Sequence, residues 1–177
     1  MKQSLKKVAF LLADGYEDSE MKNPYEAIVE NGDEPVIISL KKGDELKGKK
    51  GTITYTSHLA ASEANVADYE AVIIPGGQSP SKLRDDPAVI DFVRQAHEKG
   101  IPIAAICHGP QVLAKAGVLR GKTLTGYSGI QDEIKQAGGT FVDKEVVVDG
   151  NLITSRGPQD EPAFIKETID RIGVSAW

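Results

Sequence analysis

The chain has 177 residues, 40% of them hydrophobic and 27% charged, with a formal net charge of −5. That size and balance predict one globular domain spanning 1–177, and the negative charge gives no long-range attraction to nucleic-acid phosphates or anionic membranes. A single cysteine excludes an intramolecular disulfide and fits a reducing, cytoplasmic setting.

Lys2, Lys6 and Lys7 ahead of VAFLLA (8–13) imitate a signal peptide. The apolar run is shorter than a secretory core and ends at Asp14 without a cleavage pattern, so it reads as a first strand. No other apolar run approaches membrane-spanning length. Further short Val/Ile/Leu/Ala runs follow at 36–40, 71–74 and 101–106, several trailed by segments of helical spacing. Their near-continuous apolarity, without alternation, is what strands buried on both faces of a parallel sheet require. The expected fold is therefore α/β, a three-layer sandwich around a mostly parallel sheet.

Between the first two of these later runs, Lys41, Lys42, Lys47, Lys49 and Lys50, interleaved with Gly43, Asp44, Glu45 and Gly51, read as a solvated hairpin. Asp86-Pro87 supplies a cap and a first-turn proline before Val89, Ile90, Val93 and Ala96, and Gly100 closes that helix. The segment 145–155 reads as a hairpin turning at 149–151. Asp160, Glu161 and Pro162 open a last helix whose Phe164, Ile165, Thr168, Ile169 and Ile172 share a face.

Ligands of such sheets bind at the carboxyl ends of the parallel strands. Three endings meet that condition: DGYE (14–17), PGG (75–77) and CHG (107–109). In AICHG (105–109) the cysteine stands where a strand gives way to a helix, with Ala105 two residues before it and Gly109 two after. A nucleophile elbow demands small residues at both places. Pro110 falls in the first helical turn, where its missing N–H costs nothing. At a helix amino terminus the free N–H groups favour thiolate, and a fall from about 8.5 to about 6 gives roughly 90% thiolate at pH 7. The backbone N–H of His108, with one from Gly76 or Gly77, is placed to hold a developing oxyanion, and Gly109 completes the turn.

Two partners are candidates. Glu17 shares a proton with Cys107 across adjacent strand ends, or DGYE forms a capping box with Asp14 as cap and Glu17 at its third position. His108 acts on the sulfur directly or turns its ring away. His58 reads as a hairpin surface residue and His97 as a helix-end residue. No histidine–carboxylate spacing supports a metal site, and no Gly-rich fingerprint supports a phosphate site, so neither metal nor cofactor is expected.

With EDSE (17–20), PGG (75–77), AICHGP (105–110) and EVVVDGN (145–151) in this order, the chain resembles the PfpI family, nearest to its bacterial general-stress members. The resemblance runs from about Lys7 to Ile169. It implies a flavodoxin-like, class I glutamine-amidotransferase-like fold and an activity described variously as intracellular cysteine protease, protein deglycase or glyoxalase. It implies Cys107 as nucleophile, Glu17 as its hydrogen-bonded glutamate and proton shuttle, and a homo-oligomer, dimer or hexamer. In members that complete a Cys-His-acid triad across a subunit interface the acid follows PGGxxP, where this chain has Ser81. A serine cannot serve as that carboxylate, which argues against a peptidase.

The expectation is a stress-defence enzyme in which a Cys107 hemithioacetal processes methylglyoxal, glyoxal or their protein adducts. Its rivals are a cysteine peptidase or amidase using His108, and a redox sensor or holdase in which Cys107 is oxidised without turnover.

Overall fold

The computed structural model describes residues 6–173. Of the three lysines that imitate a signal peptide, Lys2 lies outside the described residues. Among the described residues, eleven strands and six α-helices follow one another. The strands are β1 (Lys7–Leu11), β2 (Glu34–Ser39), β3 (Glu45–Lys47), β4 (Thr54–Thr56), β5 (Leu59–Ala60), β6 (Tyr69–Ile74), β7 (Ile103–Ile106), β8 (Thr123–Leu124), β9 (Thr140–Phe141), β10 (Val147–Asp149) and β11 (Leu152–Ser155). The helices are α1 (Asp18–Glu30), α2 (Ser79–Leu83), α3 (Pro87–Lys99), α4 (Pro110–Ala116), α5 (Gln131–Gln136) and α6 (Glu161–Ile172).

Seven strands form the central sheet in the order β10-β11-β7-β6-β1-β2-β5, all parallel except the β10–β11 pair. The α/β expectation holds, and the apolar runs are apolar because each strand feeds two cores. Ala9 and Leu11 of β1 face a layer containing Val89 and Val93 of α3 and Val112 and Leu113 of α4. Val8 and Phe10 face the opposite layer, with Met21 and Ile28 of α1 and Phe164 and Ile172 of α6. Complete burial of one such side chain, Phe164 for example, contributes roughly 1.5–3 kcal/mol.

Local signals behave as expected at several ends. The Asp86 side chain accepts from the Ala88 N–H at 2.8 Å, Pro87 opens α3, and Gly100 closes it in the left-handed conformation. The 145–155 hairpin forms with Gly150 and Asn151 at its turn. β7 starts two residues later than its apolar run, after Pro102, whose ring nitrogen cannot donate to the sheet.

One alternative fails and one expectation gains a detail. Asp14 does not cap a helix: α1 begins at Asp18, and the Asp14 carboxylate accepts instead from the Lys47 N–H at 2.9 Å. The lysine-rich hairpin forms as β3 and β4 with its five lysine side chains exposed, as expected, while the backbone of its tip makes contacts of its own. It docks on the segment after β1, with the Lys49 N–H donating to the Tyr16 carbonyl at 2.8 Å and the Lys50 N–H to Asp18 at 3.3 Å.

Candidate active site

β1, β6 and β7 lie side by side in the sheet, so their carboxyl ends converge on one point. Cys107 follows β7 with φ +62°, the only non-glycine residue at positive φ among the described residues. That conformation costs roughly 1–3 kcal/mol and persists only where the surroundings over-determine it. Here the Cys107 N–H donates to the Ser155 carbonyl at 3.0 Å, and its own carbonyl accepts from the Tyr127 N–H at 2.8 Å. A Cβ on Gly109 would lie 2.6 Å from the Ile74 carbonyl, so the small residue that the elbow spacing demanded is required by close approach.

The three glycines expected around the oxyanion and its turn have different fates. The Gly109 N–H donates to the Ile106 carbonyl at 2.8 Å and the Gly76 N–H to Glu20 Oε1 at 2.8 Å. Gly77 and His108 are the two whose N–H groups point at the Cys107 sulfur. Gly76 is nonetheless essential to the packing, since a Cβ there would lie 2.7 Å from Cys107 Cβ and 2.5 Å from Glu20 Oε1.

That contact introduces a residue to which the sequence reading gave no role. Glu20 is fully buried beside the cysteine, and its Oε2 has no hydrogen-bond partner. Burial pushes its carboxyl up to about 8, with the Glu17 charge adding to the rise. At neutral pH the protonated form of Glu20 is therefore favoured. Glu17, the glutamate expected at the sulfur, sits at the amino end of α1, lines the open cleft and pairs with Lys49 at 3.7 Å. The signal for Glu20 was present in EDSE, but the strand-end argument and the family resemblance both pointed to Glu17, whereas α1 begins at Asp18 and turns Glu20 inward.

The depressed thiol expected of Cys107 is not what its surroundings give. Burial first, and then the charge of Glu20, push it up to about 12, while the Gly77 and His108 N–H groups pull the other way. α4 has only seven residues, so its dipole is a weak counterweight to desolvation. The second upward force needs an ionised Glu20 and vanishes when Glu20 holds its proton.

His108 does turn toward the sulfur, with Nδ1 3.3 Å from Sγ. Burial and then Lys49 lower its pKa, and Glu133 acts in the opposite sense. Among the described residues no carboxylate hydrogen-bonds His108. Asp160 is held by Arg156, Asp86 caps α3, and Asp85 is exposed. Ser81 lines the same cleft as Cys107 within one chain and donates its hydroxyl to the Gln78 carbonyl at 2.6 Å. His58 is exposed, as expected, though its Nδ1 accepts from the Ile37 N–H at 2.8 Å.

The cleft measures about 1010 Å³, with Glu17, Lys49, Cys107, His108, Tyr127 and Arg156 among its lining residues. Lys49, Tyr127 and Arg156 were not anticipated there. Each comes from a segment remote from the elbow in sequence or turned toward it by a loop.

The sequence pattern of the DJ-1/PfpI family matches residues 6–171. An Escherichia coli protein named protein/nucleic acid deglycase 2 is 42% identical over 170 residues, 96% of this chain and 99% of its own. General stress protein 18 of Bacillus subtilis is 42% identical over 165 residues, covering 93% of this chain and 96% of the relative. Among solved structures, a two-domain protein of Anabaena variabilis with DJ-1/ThiJ/PfpI-like and ferritin-like domains superposes with a TM-score of 0.93 at 40% identity. The match covers 95% of this chain and 48% of that longer one.

Proposed function

This chain belongs to the DJ-1/PfpI family, and within it we propose a cysteine enzyme that clears α-oxoaldehydes such as methylglyoxal and the adducts they leave on protein amines. One observation carries the reading: a Cys107 sulfur in a strained elbow, faced by two N–H donors and a buried carboxyl, at the wall of an open cleft. Relatives named deglycases at 40–42% identity point the same way.

In the proposed sequence the sulfur adds to the aldehyde carbon, and the carbonyl electron pair moves onto oxygen. That oxygen takes up a proton and a hemithioacetal results. Glu20 relays the thiol proton, and the N–H groups of Gly77 and His108 are the donors nearest the transient oxyanion. Glu17, which lines the cleft, carries the proton of the former aldehyde carbon to the neighbouring keto carbon, while the hemithioacetal hydroxyl gives its proton to the keto oxygen and becomes the thioester carbonyl. The product is a hydroxyacyl thioester with no net oxidation, and water cleaves it to a 2-hydroxy acid and the free thiol. On a hemiaminal adduct the sulfur displaces the amine, which leaves with the thiol proton.

Wild type and Cys107→Ala incubated with methylglyoxal and with a methylglyoxal-treated lysine peptide test this. Wild type should form lactate and restore free amine, and Cys107→Ala should do neither. Turnover retained without Cys107 would remove the reading. The 3.3 Å contact between Cys107 and His108 favours a second reading, a peptidase, but that activity also needs an acid to orient His108, and Ser81 is not one.

A further inference from the structure

The loop GYSGI (126–130) takes no part in the function proposed above, yet it is built closely onto the elbow. Its Tyr127 N–H donates to the Cys107 carbonyl at 2.8 Å, and Ile130, 5% exposed, anchors its far end. A Cβ on Gly126 would approach the Cys107 carbonyl and Pro110 Cγ to 3.2 Å. Tyr127 is 45% exposed, so burial does not account for where its ring lies. The ring stacks on the His108 imidazole, with centroids 4.5 Å apart and planes 26° apart. Gly129 lies against the same ring, and a Cβ there would collide with Tyr127 Cε2 and Cδ2.

We infer that Tyr127, seated in the slot left by Gly129, is a positioning residue that holds the His108 imidazole with Nδ1 against the Cys107 sulfur. An imidazole at the mouth of an open cleft otherwise has a broad choice of χ2 and turns toward water. The stacked ring confines it, by an offset aromatic contact that needs the ring face and not the hydroxyl. Misplacement of a reacting group by about 1 Å costs up to roughly a hundredfold in rate, so a ring that holds His108 in place acts on the step without touching the sulfur. The two glycines thereby acquire a purpose. Gly126 lets the loop reach the elbow, and Gly129 leaves the ring its berth.

The inference adds to the reaction proposed above, on which it rests, a role for the His108 imidazole 3.3 Å from the sulfur, so its test has one arm that needs no substrate. Proton NMR of the resting protein reads the His108 ring signals, which the current of the stacked Tyr127 ring displaces. Tyr127→Phe should keep that displacement, whereas Tyr127→Ala and Gly129→Ala should lose it. Gly129 is not among the positive-φ residues, so alanine there displaces the ring without straining the backbone. In the kinetic arm with methylglyoxal, Tyr127→Phe should stay within about twofold of wild type, and both alanine variants should lose about tenfold in kcat with little change in KM. A His108 signal unmoved in Tyr127→Ala overturns the inference whether or not the protein turns over methylglyoxal. So does a Tyr127→Phe enzyme as slow as Tyr127→Ala, or an alanine pair with displaced His108 signals and wild-type kcat. A wild type with no turnover but with the expected NMR pattern refutes the proposed function and leaves the stacking role standing.

Discussion

Replacing Glu20 by Gln should abolish a specific part of the protein's loss of stability at alkaline pH. The carboxyl rises from an ordinary 4.5 to about 8 on folding because it is fully buried. A group of this kind binds its proton more tightly in the folded state, so its stabilisation is complete below about pH 4.5 and is lost as pH rises through about 8. Proton linkage over those two values gives a loss of roughly 2–3 kcal/mol between pH 6 and pH 8.5. Glutamine keeps the acceptor for the Gly76 N–H and has no charge to bury. Urea unfolding of both proteins at the two pH values measures the difference, with the linear slope m confirming that the unfolding transition is the same. Groups common to both proteins cancel in the comparison. Wild type should lose roughly 2–3 kcal/mol more than the variant. Equal losses, within about 0.5 kcal/mol, would show that Glu20 is not buried as a neutral acid.

If Glu20 donates its proton toward the sulfur, Glu20→Gln should leave the pH midpoint of Cys107 alkylation near that of wild type, and Glu20→Leu should raise it. Midpoints that fall in both variants would mean Glu20 is ionised instead. Lys49→Met should raise the pKa of His108 in an NMR titration, because the lysine charge is one of the forces lowering it. An unchanged titration would place the Lys49 ammonium away from the imidazole. Gly109→Ala should destabilise the fold by about 2 kcal/mol in urea, since its Cβ would press on the Ile74 carbonyl, and an unaffected midpoint would refute the close-approach argument. Ser81→Glu should raise peptide cleavage without slowing methylglyoxal turnover, because position 81 lines the cleft of its own chain. No gain in cleavage would show that a carboxylate there does not reach His108.

The sequence by itself determined the sheet and the elbow. Doubly buried strands must be apolar along their whole length, so 8–13 and 71–74 announced β1 and β6. A left-handed residue between strand and helix must have small neighbours, so Ala105 and Gly109 announced Cys107. Asp86-Pro87 marked the start of α3 for an equally local reason, a cap followed by a fixed φ. Each inference used residues a few positions apart. Only the tertiary structure decided what surrounds the sulfur. Glu20 meets Gly76 across 56 residues, the Lys49 hairpin docks on Tyr16, and Tyr127 stacks on His108 from a loop beyond α4. The direction of the thiol shift was decided there too. A helix start can be read locally, but desolvation depends on every chain segment that closes over the group, and here it outweighs the two N–H donors.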